Sequence, residues 1–508
     1  MYRKIVATIT IVVLCFSYCL IVKAQGTQNG SYIVETIETP EGLIPQTGGI
    51  DFLPDGRLVA CFMRGEVMTY HPKTKEWKLF ARGLLLPLGI HAVSDREVLV
   101  MQFSELTRIK DTDGDGEGDV YESAAHDFGM SGNYHEFNYG PVEDREGNLY
   151  FALNTASSGG GIRSIVRGKF NRWGRDGIDG HKEMFSVVPY RGWVMQLTRE
   201  GKLLPYASGF RSPNGLGYSP DGHLYVTDNQ SDWVPTSALF DVKLGRFYGH
   251  PASLVWTKEW ESRNPFDAQV EELNRMRTLP IVQFPQGIMA NSPSQPVVDI
   301  TEGKFGPFFN QLFIGEMNRD RILRVMLEEV EGELQGACVP FMDGHGLTVG
   351  NNRLAFAEDG SLWIGKVSFG GWVGQSGIQR IIFTGEQPMD VYTMKLTDTG
   401  FELTFTQPVD PSAIASPENF SIRRYRYEYK KKDINEGVDV ANQTDVKQMT
   451  ITGLKLSEDG RKIFMSLDDL QAGFIYELKM QHIKSIQGKT LENNLICYTL
   501  NKLLPKDK

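Results

Sequence analysis

YSPDGHLYVTD (218–228) reads as two short strands folded back on each other around a Pro-Asp-Gly turn. Glycine supplies the positive φ that such a turn needs, and the flanking Tyr, Leu and Val suit half-buried strands. The unit recurs as GGIDFLPDGRLVACFMRGEVMTY (48–70), YGPVEDREGNLYFALNT (139–155) and NRLAFAEDGSLWIGKV (352–367). Two degraded copies lie at 89–111 and 308–327. One strand–turn–strand unit repeated six times predicts an all-β fold, a six-bladed β-propeller of four-stranded sheets. A β-sandwich would also supply many short strands, but it would not repeat one turn signature. Insertions interrupt the spacing near 156–192 and 231–280, the second containing the main helical stretch, 258–278. Long loops at one mouth of such a ring are where a site would be built.

The repeat ends near residue 387. Beyond it, FELTFTQPV, KQMTITGLKL, KIFMSL and IYELKMQHI alternate in polarity between turn clusters, which predicts a small β-sandwich over 388–508 resembling bacterial immunoglobulin-like modules. Within it RRYRYEYKKK (423–432) alternates basic and aromatic residues, as a strand with one aromatic and one solvated face does.

The propeller is expected over 25–387, because residues 1–24 read as a secretory leader. Arg3 and Lys4 precede an apolar run from Ile5 to Val22, and Val22-Lys23-Ala24 offers a small-residue cleavage site. A periplasmic or secreted protein without a membrane span after cleavage is expected, and an uncleaved anchor is the rival. The net charge of −10, with no basic tract suited to phosphates, points away from nucleic acid. Beyond the leader only Cys61, Cys338 and Cys497 remain, without CxxC spacing, so a cysteine-ligated zinc or an attached haem is not expected. They read as buried thiols.

DTDGDGEGDVYE (111–122) places Asp111, Asp113, Asp115, Asp119 and Glu122 at the oxygen-donor spacing of a calcium loop, with Gly116 at its sharp turn and the backbone carbonyl of Glu117 as a further donor. The preceding VLVMQFSELTRIK reads as strand rather than helix. Calcium is therefore expected in a structural role.

Three further segments carry a resemblance: YHEFNYGPVEDREGNLYFAL (134–153), GFRSPNGLGYSPDGHLYVTD (209–228) and GRFYGHP (245–251). Together they resemble the soluble quinoprotein glucose and sorbosone dehydrogenases, six-bladed propellers that use pyrroloquinoline quinone (PQQ) and calcium. The resemblance implies His135 as general base and Arg211 as the cation beside the cofactor. It implies Asn214, Arg319, Arg321 and Arg353 as further cofactor contacts, a sugar as substrate and a separate molecule as electron acceptor. A neutral imidazole can take a sugar's anomeric hydroxyl proton, and a guanidinium can stabilise charge developing on a reduced quinone.

The sequence departs from that family where an acidic cluster near the cofactor calcium becomes NQSDWVPTSALFD (229–241), and where a cofactor-binding lysine becomes Asn318 or Arg319. His250, His345, Trp233 and SFGGW (368–372) with Trp372 are weaker candidates for the same mouth. Two other functions fit the same sequence: a metal-assisted sugar hydrolase, lyase or lactonase, and a non-catalytic glycan-binding propeller.

Overall fold

The computed structural model describes residues 30–157, 167–173, 184–230, 232–233, 235–368, 374–430 and 442–505. The leader expected at 1–24 lies outside them. Strands between Tyr32 and Phe383 form six four-stranded antiparallel blades. Their first strands are Thr47–Phe52, Gly89–Ser94, Asn138–Glu143, Gly215–Tyr218, Pro293–Val298 and Asn351–Phe356. Each packs against the first strand of the next blade, and the sixth packs against the first, closing a ring. Closure is completed at the rim, where Tyr32–Ile37 supplies the outermost strand of blade 6 by pairing with Gly377–Phe383.

The Pro-Asp-Gly turns, and their Glu-Gly and Glu-Asp-Gly variants, join first to second strands. In blade 4 the turn lies between Gly215–Tyr218 and Leu224–Asp228, with Gly222 at φ 100°. Blade 5 departs from the pattern. Its degraded repeat at 308–327 contains the second and third strands, because a long connection, 299–311, replaces the first turn. Asp299 starts that connection by accepting from the Thr301 amide and hydroxyl at 2.9 and 2.7 Å.

At the axis the ring is nearly solid. A Cβ on Gly89 would lie 1.7 Å from the Gly140 oxygen, so only glycine permits this approach of neighbouring inner strands. The remaining void is about 20 Å³, on the scale of one water. Arg353 fills the centre. Its Nε donates to Gly48 O at 2.9 Å and Leu88 O at 3.2 Å, and Nη1 donates to Asn214 O at 3.0 Å and Asn352 O at 2.9 Å. The guanidinium also lies 4.8 Å from the Tyr139 ring. One buried cation thus touches inner segments of blades 1, 2, 3, 4 and 6, and burial lowers its pKa to about 10.

The C-terminal sandwich pairs two sheets. One has the order Val391–Thr397, Gly400–Phe405, Lys462–Leu467, Ile451–Leu456. The other has the order Leu495–Leu500, Phe474–Met480, Phe420–Arg426, Thr444–Gln448, and it continues without a break from blade 5. Glu333–Phe341, the outer strand of that blade, pairs with Leu495–Leu500 through Gly336↔Thr499, Ala337↔Tyr498 and Cys338↔Cys497. The two units also share a core, in which Met326, Val330, Ala337 and Val339 of blade 5 pack with Phe401, Leu403, Tyr476 and Tyr498. The pairing covers an edge that would otherwise present open hydrogen-bonding groups. Among the described residues, Cys61, Cys338 and Cys497 are buried free thiols.

Replacing Arg353 by Met leaves several buried carbonyls without donors, each costing on the order of 1–3 kcal/mol. The urea-unfolding midpoint should fall by the equivalent of at least about 3 kcal/mol; an unchanged midpoint would show that the axial bonds contribute nothing.

Candidate functional site

Strand direction decides where a site can form. Successive strands of a blade run in opposite directions. Connections from second to third strands, and from a fourth strand to the next blade, therefore open on one face, while first-to-second and third-to-fourth connections open on the other.

On the first face lies a cavity of about 370 Å³ lined by Tyr134, His135, Phe137, Arg211, Ser212, Asn229, Gln230, Gln286, Asn291, Ser292 and Asn318. His135, Arg211 and Asn291 precede the first strands of blades 3, 4 and 5, whereas Asn229 and Asn318 follow the second strands of blades 4 and 5. Three blades therefore build one pocket beside the blocked axis.

Buried groups at the ends of second strands hold these loops. Asp228 ends the second strand of blade 4, and its carboxylate accepts from the Arg211 and Ser212 amides at 2.9 and 2.7 Å. Glu316 occupies the matching place in blade 5 and accepts from the amides of Asn291, Ser292 and Asn318 at 3.1, 2.9 and 3.2 Å. Burial raises the pKa of both acids, that of Asp228 to about 6. In blade 3, fully buried Arg191 braces the loop from behind, donating to Gly129 O, Glu136 O and Asn138 Oδ1.

Thr155 joins the His135 side chain to the backbone of Arg211. Its carbonyl accepts from His135 Nδ1 at 2.9 Å, while its amide and hydroxyl donate to Arg211 O at 3.0 and 2.8 Å. A carbonyl oxygen can only accept, so Nδ1 carries the proton and Nε2 keeps its lone pair. Burial, reinforced by the charge of Arg211, lowers the His135 pKa to about 3, which keeps the imidazole neutral at ordinary pH. Among the described residues, Arg211 Nε is buried without a hydrogen-bond partner, as are Asn229 Oδ1 and Gln286 Oε1. Buried polar groups are rarely left unpaired, so three on one cavity mark the place of a ligand or ordered water.

The expected contacts separate into two groups. His135 and Arg211 converge on the cavity, and Asn318 lines it too. Arg319 stands at its margin, donating to Gly287 O at 2.8 Å next to lining residue Gln286. The others lie elsewhere. Arg353 is bound at the axis, and Asn214 is held there with it, giving Nδ2 to Met317 Sδ at 3.1 Å. Arg321 is committed to Asp343 at 2.9 Å and to the Ile288 and Met289 carbonyls.

Among the weaker candidates, Trp233 is 1% exposed and presents no stacking face. His250 is buried against Asp232 at 2.7 Å, and His345 lies 3.9 Å from Glu492 in a small pocket containing blade 5 and module residues. Trp372 falls outside the described residues. Thr155, Asp228, Glu316 and Arg191 were not singled out by the sequence. The available signal was the repeat register, which ends second strands with Phe62, Met101 and Leu153 in three blades but with Asp228, Glu316 and Lys366 in the others.

The acidic loop connects the third and fourth strands of blade 2, on the face opposite the cavity. Ligand atoms of Asp111, Asp113 and Asp115 lie within 4.8 Å of one another. Asp111 also accepts from the Gly114 and Gly116 amides at 2.6 and 3.1 Å. Asp119 turns to Thr112, and Glu122 sits on the strand 2.8 Å from Lys110 Nζ.

No family model matches the chain, and no curated protein matches it. It is similar to the solved structure of a putative oxidoreductase (glucose dehydrogenase) from Thermus thermophilus, at 17% identity, covering 69% of this chain and 100% of that one, with a TM-score of 0.48. The PQQ-bound aldose sugar dehydrogenase of Streptomyces coelicolor gives 16%, 69% and 98%, with a TM-score of 0.46. The apo aldose sugar dehydrogenase of Escherichia coli gives 13%, 70% and 100%, with a TM-score of 0.48. Likenesses of this strength carry no chemistry to this chain, and the propeller rests on its own sheets.

In an NMR titration of the imidazole nitrogens, His135 should remain the neutral Nδ1–H form from pH 8 to pH 5. A transition near the ordinary histidine value of about 6.5 would contradict the assigned environment.

Proposed function

We propose that the protein is an exported carbohydrate-oxidising enzyme in which His135 is the general base and Arg211 the electrostatic partner. The observation that carries this reading is the pairing, on one cavity, of an imidazole lone pair fixed by Thr155 with a guanidinium whose Nε has no partner among the described residues. His135 Nε2 takes the proton of an anomeric hydroxyl as hydride leaves the anomeric carbon, so the ring carbon becomes a lactone carbonyl. Arg211 stabilises the negative charge that hydride transfer delivers to the acceptor. The lining amides and serines orient sugar hydroxyls.

PQQ is the acceptor that the family resemblance implies, and when bound it would supply the hydride-accepting quinone. Arg211, the amides of Asn229, Gln286 and Asn318, and Arg319 at the margin would hold it. Arg321, Arg353 and Asn214, committed elsewhere, would not. A separate electron acceptor would complete the cycle. The hydrolase, lyase or lactonase reading is less well supported, because no carboxylate lines the cavity among the described residues. The glycan-binding reading is less well supported because charged and titratable groups converge there.

Export rests on the leader at 1–24. Among the described residues no helix is long and apolar enough to cross a membrane. Calcium at Asp111, Asp113 and Asp115 would staple the outer hairpin of blade 2, a structural role on the face away from the chemistry.

Purified protein supplied with PQQ and calcium should reduce a dye with aldoses, and His135→Asn should lower kcat/KM about 10²- to 10⁴-fold with the fold intact. Absence of both quinone binding and turnover with any aldose would overturn the reading. Calcium should raise the thermal midpoint of the wild type but not of an Asp113→Asn, Asp115→Asn double variant. Equal responses would remove the ion from that loop.

A further inference from the structure

The C-terminal module reaches the cavity from behind. Along the strand Phe420–Arg426 and the residues that follow it, Tyr425 and Tyr429 are buried while Arg426, Glu428 and Lys430 are exposed. This segment leaves the sandwich and lies on the insertion of blade 4. The Tyr429 hydroxyl donates to Gly249 O at 2.5 Å, and its ring packs 5.7 Å from that of Trp233. Lys430 N donates to Trp233 O at 3.3 Å, and the Arg277 guanidinium lies 4.6 Å from the Tyr429 ring. Tyr429 thereby joins an apolar cluster with Trp233, Phe247, Leu254, Trp260 and Leu273.

The two backbone sites that this segment grips immediately precede or follow a buried pair. Gly249 precedes His250, and Trp233 follows Asp232. His250 Nε2 and Asp232 Oδ1 are 2.7 Å apart, with side chains 1% and 0% exposed. The His250 amide donates to Gly209 O at 2.8 Å, two residues before Arg211. The charges of Asp232 and Asp228 are the main electrostatic influences that favour the protonated guanidinium of Arg211 against its burial. Tyr427 lies beside the backbone of Gln286, a second wall of the cavity.

We propose that the module is a brace for the site, with Tyr429 as a positioning residue that fixes Arg211 through Gly249–His250 and Asp232–Trp233. A mobile Arg211 loop would lose the fixed geometry on which electrostatic stabilisation depends. The sandwich is anchored for this task, since its sheet is hydrogen-bonded to blade 5 rather than tethered by a linker. The kinetic consequence rests on the reading of the His135 cavity as the active site; the structural consequence does not.

Amide hydrogen exchange on the full chain tests the brace directly. In Tyr429→Ala, the amides of Arg211, Ser212 and His250 should exchange at least fivefold faster, with those of blades 1 and 2 unchanged. Tyr429→Phe, which keeps the ring and loses the bond to Gly249, should fall between that variant and wild type. Unchanged exchange at the three amides would overturn the proposal, and so would an equal rise throughout the propeller. With glucose and PQQ, kcat of Tyr429→Ala should drop about tenfold with KM within twofold, and Tyr429→Phe should recover most of it. Local exchange behaving as expected in a protein that turns over no aldose would retire the sugar-oxidising reading and leave the brace standing. A kcat unchanged in an active enzyme would overturn positioning.

Discussion

The guanidinium of Arg353 is the interaction on which the ring depends. Six blades must bring their inner strands to one axis, where carbonyls from several blades face inward. Water could satisfy them in a wider channel. Here glycines such as Gly89 bring the strands too close for a column of water, and one planar cation meets the oxygens of Gly48, Leu88, Asn214 and Asn352. Burying a charge is costly, and the bonds to these oxygens are what offset the cost. The consequence for function is geometric. With the axis filled, the face cavity is displaced onto the loops of blades 3, 4 and 5.

That cavity illustrates how a repeat becomes a site. The second strands of all blades end on the same face, and in blades 1–3 they end in Phe62, Met101 and Leu153, which serve packing. In blades 4 and 5 the same position carries Asp228 and Glu316, whose buried carboxylates gather the amides of the loops leading into their own blades. In blade 6 Lys366 does the converse, donating to Asn351 Oδ1 at 2.7 Å. One register position has thus been turned from core filling to loop anchoring, and the side chains on those loops are left to face the cavity.

The blades were legible in the sequence because a Pro-Asp-Gly turn is a local event, set by the residues within it. Blade 5 was harder to delimit, since its first turn is replaced by 299–311, and the pairing of Tyr32–Ile37 with Gly377–Phe383 could not be read from either segment alone. The continuity of blade 5 with the sandwich was likewise hidden, for it depends on Gly336 meeting Thr499. At the site, His135 and Arg211 stood out by resemblance and by adjoining copies of the repeat. Thr155 did not, because its key contribution to His135 is a backbone carbonyl, which every residue carries. Arg353 was expected at a ligand because an arginine in sequence does not reveal whether carbonyls already occupy it.

The central claim is that ligand chemistry takes place between His135 Nε2 and Arg211, on the face opposite the acidic loop. A crystal structure of the protein soaked with PQQ and glucose addresses it most directly. The expected result is ligand density in the cavity of blades 3, 4 and 5, within hydrogen-bonding distance of both His135 Nε2 and the Arg211 guanidinium. Density at the opposite face, or on the axis with Arg353 displaced and the cavity left to water, would contradict it.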